Sequence, residues 1–246
     1  VKKATAEKLA ALYAERARML SERGMSMEDL LPRYACEKCS DTGYLENGEL
    51  CPCARLKLAG RKYSSSGISE NAGFDRFNES IFKDAEQLKR TRRAAEICAQ
   101  YAENLEIGGA KGLLLMGETG LGKTFLMDSI GREAIRRGCS VKKYTAYNLI
   151  DAALRAVRRH EAGPELTGAE LLLLDDLGTE PMIPGVTIET LFAAINERQF
   201  AGKATVIATN LTKNELFTQY GERIFSRLFA SREYAAITLR GKDLRM

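Results

Sequence analysis

Apolar positions along the chain fall into two regimes, one sparse and one dense. From Thr5 to Arg23, Leu9, Leu12, Tyr13, Arg16 and Leu20 share a helical spacing. With Thr5 as N-cap and Gly24 as stop, this predicts an amphipathic helix. Ser26-Met27-Glu28-Asp29 is a weak capping box and predicts a second helix ending near Pro32. Apolar residues then thin out through a segment holding four cysteines, Gly43 and Gly48, and Arg61–Gly73, with its SSSG run at 64–67, reads as a linker.

From Phe74 the pattern becomes an alternation of helices and short buried strands. Helices are predicted over Asp84–Leu105, Thr124–Arg137 (stopped by Gly138), Ala146–His160, Thr187–Phe200 and Glu222–Ala230, with a further start at Thr212 and Glu215. Strands are predicted over Lys111–Met116, Val141–Tyr144, Leu171–Asp175, Ala204–Thr209 and Tyr234–Leu239. Such alternation predicts an α/β domain, a mostly parallel sheet covered on both faces. No internal repeat is visible. The expected organisation is an N-terminal module at 1–62, a linker at 63–73 and a core at 74–246.

Composition narrows the class. The 246 residues are 45% hydrophobic and 28% charged, with a mean hydropathy of −0.26, which argues against wholesale disorder. Runs such as Leu113–Met116 and Leu171–Leu174 are too short to span a bilayer, and no basic-then-apolar leader opens the chain, so a soluble, cytoplasmic protein without a membrane partner is expected. Val1 at the first position suggests a processed or trimmed start. A net charge of +4 is compatible with a polyanion partner without requiring one. A single histidine, His160, disfavours histidine-based metal or triad chemistry.

The strongest chemical signal is the run Gly117, Glu118, Thr119, Gly120, Leu121, Gly122, Lys123, Thr124, which completes the pattern GxxxxGK[ST] between an apolar strand and a helix. Its alternative is a chance glycine-rich turn. In this context, backbone N–H groups wrap phosphates, Lys123 reaches the β- and γ-phosphates, and Thr124 ligates Mg²⁺. About fifty residues on, Leu171–Leu174 runs into Asp175 and Asp176. Alone this is a strand ending in solvated acids; paired with the phosphate loop it is a Walker B strand, with Asp175 in the Mg²⁺ shell and Asp176 orienting or deprotonating water. A third strand ends in Asn210, which either holds that water or serves as a turn or cap residue.

Cys36-x2-Cys39-x11-Cys51-x-Cys53 matches a tetrahedral, structural Zn²⁺ site better than a disulfide framework in a cytosolic chain. The second pair is a C-x-C stiffened by Pro52, a weaker match to common zinc ribbons. Arg155, Arg158 and Arg159 share a helix face opposite Ile150, Leu154 and Val157, either as a solvated basic face or as a contact for single-stranded nucleic acid, with Tyr144 or Tyr147 as stacking partners. Phe74 and Phe77 either border an adenine or pack in the core. Cys98, Cys139 and His160 carry no readable role.

GETGLGKT, LLLLDDLGTE, ATNL, YGERIFSRL at 220–228 and GKDLR at 241–245 occur in this order over about seven-tenths of the chain. In this it resembles the AAA+ ATPases of the DnaC/DnaI helicase-loader and IstB branch. The resemblance implies ATP hydrolysis (ATP to ADP) with Mg²⁺, Asn210 as sensor 1 and Arg245 as sensor 2. It also implies that Arg227, or Arg223 one turn earlier, acts as an arginine finger on a neighbouring subunit's ATP within a homo-oligomeric ring or spiral. Its implied partners are a replicative DNA helicase, engaged by the Cys₄ module as in DnaI-type loaders, and single-stranded DNA. Many AAA+ proteins carry Glu where Asp176 stands, which implies slow or conditional hydrolysis here. A transposition helper of the IstB kind, or an adaptor that binds ATP with little hydrolysis, are the other functions compatible with this core.

Overall fold

The computed structural model describes residues 2–26, 29, 32, 34–54, 66–69, 71–105, 112–229 and 233–245. The chain divides into two compact units, Val1–Ala54 and Arg55–Met246. In the first, helix α1 spans Lys2–Ser21. Thr5 therefore lies inside its first turns rather than capping it, because Lys and Ala, good helix formers, carry the helix back past it. The second predicted helix falls mostly outside the described residues; of its capping box, the Ser26 amide and hydroxyl donate to Asp29 at 2.8 and 3.0 Å.

Among its described residues the second unit holds five strands: β1 Gly112–Met116, β2 Val141–Thr145, β3 Leu171–Leu177, β4 Ala204–Thr209 and β5 Tyr234–Thr238. All pair in parallel in the order β2-β3-β4-β1-β5. Among the same residues five α-helices accompany them: α2 Ala85–Glu103, α3 Lys123–Arg136, α4 Ala146–Arg159, α5 Thr187–Phe200 and α6 Lys213–Phe229. Asp84 caps α2 and Thr145 caps α4 through side-chain oxygens that accept first-turn N–H groups. Thr212 and Glu215 form a reciprocal capping box at α6, whose two predicted pieces meet at a kink, Gly221 (φ 75°, ψ 176°).

Strand alternation divides the core. Leu113, Leu115, Leu171, Leu173, Val206 and Ala208 face one side, packed against α2 and α3. Leu114, Met116, Leu174 and Ile207 face the other, packed against α4, α5 and α6. Both faces being covered explains why every residue of β1 and β4 is buried.

Residues 66–69 and 71–73 do not behave as the linker their serine-rich composition predicts; residues 61–65 and 70 lie outside the described set. Ser66, Ile68 and Ala72 are buried, and Ile68 joins the α3 face of the core. The Gly73 N–H donates to Ser129 Oγ at 3.0 Å and the Ser69 N–H to Asp128 at 3.2 Å. At the opposite sheet edge from the strand tips, Arg198 is fully buried and donates to Thr205 Oγ1 and to the carbonyls of Leu166, Ala169, Glu170 and Ala204. These acceptors saturate its guanidinium without a carboxylate, and burial pulls its pKa down to about 10. Among the described residues, no helix is long and apolar enough to cross a membrane.

Candidate active site and candidate metal centre

Parallel register brings the tips of β1, β3 and β4 to one edge: Met116 lies opposite Thr209, and Leu177 opposite Thr209 on the other side. The phosphate loop leaves β1 through Gly117 (φ 141°), Gly120 (φ 82°) and Gly122 (φ 88°), backbone conformations that side chains resist. Leu121 is buried and anchors the loop, between the flanking glycines, to the core. Lys123 opens α3, and its Nζ donates to the carbonyls of Gly117 and Glu118, both at 2.7 Å. Burial lowers its pKa, opposed by Asp176 and Asp175.

Thr124 Oγ1 donates to Asp175 Oδ1 at 3.2 Å, so the two residues expected to share Mg²⁺ are neighbours. Hard oxygen donors from a hydroxyl and a carboxylate suit that ion. β3 runs two residues further than its predicted end at Asp175, because its register slips between Leu174 and Leu177. The slip sets Asp176 at φ 53° and turns it into the cleft. Burial, then the Asp175 charge, pushes the Asp176 carboxyl above its ordinary value, partly offset by Lys123 and Lys143. Asn210, one residue past β4, lines the same cleft, while capping of α6 falls to Thr212.

The cleft has a volume of about 530 Å³. Phe77 and Phe82, with ring centroids 5.7 Å apart, form its apolar end together with Thr91. Phe74 packs against the core without lining it, which separates the two phenylalanines that the sequence left equivalent. The C-terminal segment crosses the phosphate end. The Leu244 N–H donates to the Gly120 carbonyl at 3.0 Å, and Arg245 lines the cleft while holding Asp243 through two bonds of 3.1 and 2.9 Å.

Sequence reasoning missed Lys143. On β2, its Nζ sits 2.7 Å from Asp128 Oδ1 and 3.3 Å from Asp175 Oδ2, largely buried. Burial alone would lower its pKa; Asp128 and Asp175 outweigh burial and hold it above the usual value, keeping it charged. A lysine inside a strand, one residue from a second lysine, was the available signal. Glu180, in the turn after β3, is likewise buried, and accepts the Gly178 N–H at 2.9 Å and the Tyr220 hydroxyl. The turn that follows the two acids is thus tied to α6 just before its kink.

Arg223 and Arg227 are absent from the residues lining the cleft. Both lie over the ring of Phe192 on α5, at 3.9 and 6.0 Å from its centroid. Arg158 and Arg159 are exposed, and Arg155 pairs with Asp151 at 3.1 Å. Val157, expected on the apolar face of α4, is 61% exposed; Leu149, Ile150, Ala153 and Ala156 form that face instead. Tyr147 is exposed, and Tyr144 is partly buried under the Lys142 ammonium.

In the first unit, Cys36, Cys39, Cys51 and Cys53 are free thiols whose sulfurs all lie within 4.8 Å of one another. Cys36–Cys51 and Cys39–Cys53 approach to 3.7 and 3.5 Å. A tetrahedron of Zn–S bonds of about 2.3 Å has edges of about 3.8 Å, so the donor set fits zinc. The fold builds this locally. Asp41 (φ 60°) accepts the Ala35 and Cys36 N–H groups, the Cys51 N–H donates to the Gly43 carbonyl at 2.8 Å, and Tyr44 bridges Leu50. Hydrogen bonding from Cys53 leads in lowering the Cys36 pKa to about 7, against burial.

The family described as "IstB-like ATP binding protein" matches residues 103–229. The chromosomal replication initiator protein DnaA of Zymomonas mobilis is 33% identical over 186 residues, 72% of this chain and 36% of that protein. The replicative helicase loader DnaC of Escherichia coli K12 is 25% identical over 178 residues, 68% of each chain. The crystal structure of DnaI shares the fold at a TM-score of 0.54 and 20% identity, over 75% of this chain and all of that one. The chain thus spans about a third of the length of the initiator that it matches.

Proposed function

The chain belongs to the IstB-like ATP-binding family, and from that premise we propose that it is an ATP-dependent loader of a replicative DNA helicase. The observation that carries the ATPase reading is the convergence of Lys123, Thr124, Asp175, Asp176 and Asn210 at one strand edge. The loader reading is supported by the relative named a replicative helicase loader.

In this reading ATP lies with its adenine towards Phe77 and Phe82 and its triphosphate in the loop Gly117–Thr124. Lys123 leaves the two loop carbonyls for the β- and γ-phosphate oxygens, and Thr124 and Asp175 hold Mg²⁺, which supplies charge neutralisation of the leaving diphosphate. Asn210 and Asp176 orient a water. Its oxygen bonds the γ-phosphorus as the bond to the β-phosphate oxygen breaks, and its proton passes to Asp176, whose raised pKa favours acceptance. Arg245 steadies the γ-phosphate. Arg227, with Arg223 in reserve, reaches a neighbouring subunit's site in a ring or spiral, so an isolated chain turns over slowly. The N-terminal module, holding one structural zinc on its four cysteines, contacts the helicase, and the unit Arg55–Met246, in whose core Ile68 is buried, is the ATPase domain. Arg158 and Arg159, exposed on α4, are offered to single-stranded DNA phosphates.

Two inactive variants test the shared site. Lys123→Ala should lose ATP binding. Arg227→Ala should keep binding and lose turnover by roughly 10³-fold or more, the worth of an arginine finger. Mixing them should restore activity, because the first lends its arginine to the second's intact nucleotide site. Full turnover in dilute Arg227→Ala would overturn the shared site, and unchanged ATP affinity in Lys123→Ala would overturn the ATPase reading. A pull-down offering a replicative helicase and a transposase side by side separates a loader from a transposition helper. An adaptor would bind ATP and capture partners without turnover even when assembled.

A further inference from the structure

Gln87 lies three residues into α2 and is 5% exposed. Its side-chain amide is spent on one distant residue. Nε2 donates to the Lys242 carbonyl at 2.8 Å, and Oε1 accepts the Lys242 N–H at 3.0 Å. A planar amide bonded both ways to one residue's peptide groups reproduces a rung of sheet pairing. The main chain of Gln87 is itself held: its carbonyl accepts Thr91 Oγ1 at 2.9 Å, and its N–H points at the capping Asp84. Gly241 makes the approach possible. It has φ 150°, and a Cβ there would lie 2.1–2.5 Å from the Gln87 amide atoms.

Beyond this clamp the segment continues to Asp243, Leu244 and Arg245. The Leu244 N–H bonds the Gly120 carbonyl, and the Asp243 carboxylate occupies the space over Gly120, where a Cβ would meet it at 1.9–2.5 Å. The segment is therefore stitched to α2 at one end and to the phosphate loop at the other. Arg245 itself is exposed, and its pairing with Asp243 spans only two residues, so it sets no position relative to the cleft. That position comes from Gln87 and Gly120.

We propose that Gln87 is the positioning residue that sets the reach of Arg245 over the phosphates, by clamping the main chain of Lys242. The proposal rests on the ATPase reading above. Lys242 is exposed, so losing the clamp returns its N–H and carbonyl to water at small cost to the fold, while the tail loses its placement.

The test uses the full chain with Gln87→Met, which keeps length and burial but makes neither bond, alone and combined with Arg245→Ala. Gln87→Met should lower kcat about tenfold, the worth of one charge-assisted hydrogen bond, with KM for ATP nearly unchanged. Arg245→Ala should do the same, and the double variant should be no worse than either, because both remove one function. Hydrogen exchange at the Leu244 amide should quicken in Gln87→Met while amides in β1 stay protected. Gln87→Glu, which retains the acceptor for the Lys242 N–H, should recover part of that protection. Should Gln87→Met fold poorly, Gly241→Ala displaces the same contact from the tail side and is read the same way. Multiplicative losses in the double variant, or an unchanged Leu244 exchange rate, overturn the proposal. Lys123→Ala separates the two levels: if it abolishes ATP binding while Gln87 and Arg245 act independently, the ATPase reading stands and the clamp falls.

Discussion

In β1 and β4 every residue from Gly112 to Met116 and from Ala204 to Thr209 is buried, whereas α1 of the first unit leaves Leu9, Leu12, Tyr13 and Met19 at least half exposed. Among the described residues of that first unit, Cys39 and Cys51 alone are buried. The second unit thus has a two-faced apolar core, which accounts for its stability by burial. The cysteine segment has almost no apolar interior, and a unit that small needs a crosslink in its place. Four thiols with zinc-compatible spacings would supply that crosslink on binding the metal proposed for them. One unit should answer to cavities and the other to chelators.

The largest expected effect follows from stripping the zinc proposed for the four cysteines. Structural zinc sites contribute about 10–16 kcal/mol of apparent binding free energy, so a chelator, or Cys51→Ser, should unfold the cysteine segment. Amide exchange reads this directly: protection of the Cys51 N–H should vanish while the β1 and β4 amides are untouched. Persistent protection in chelator would mean that the segment stands without metal.

The reciprocal experiment is a cavity. Leu173 is fully buried and packs near Ile68 and Gly131. Leu173→Ala should cost about 2–5 kcal/mol in urea unfolding of the second unit. It should leave zinc content unchanged; a loss of zinc in parallel would erase the contrast between the units.

The smallest effect is chemical. In chelated, reduced protein, whose cysteine segment is then unfolded, the four cluster thiols should alkylate as free cysteines do, faster as pH rises towards about 8.5. Burial pushes the Cys98 thiol up to about 12, so it should stay unlabelled up to pH 9 until the core unfolds. Equal labelling of Cys98 and the cluster thiols while the core is folded would show that the core admits solvent.

The phosphate loop, the apolar strands that run into Asp175 and Asn210 and the capping box of α6 were readable because each is local. Glycine spacing dictates positive φ, apolar runs dictate buried strands, and Thr212 and Glu215 are close enough to find each other without help from the fold. The Cys₄ cluster was readable for the same reason. Lys143 with Asp128 and Asp175, Gln87 with Lys242, and Glu180 with Tyr220 were not, because each joins residues separated by 15 to 155 positions. Periodicity says which face is buried; it does not say which distant polar group waits there. Composition misled at residues 66–69 and 71–73, where serines suggested a linker while one isoleucine, Ile68, reached the core. The irregularity that turns Asp176 into the cleft likewise belongs to the pairing of β3 with β4, since a register slip exists only between two strands. Residue types and short spacings specified the chemistry available at the strand edge. Packing of α2, β2 and the C-terminal segment around that edge decided which side chains hold it in place, because burial forces every polar group there to find a partner.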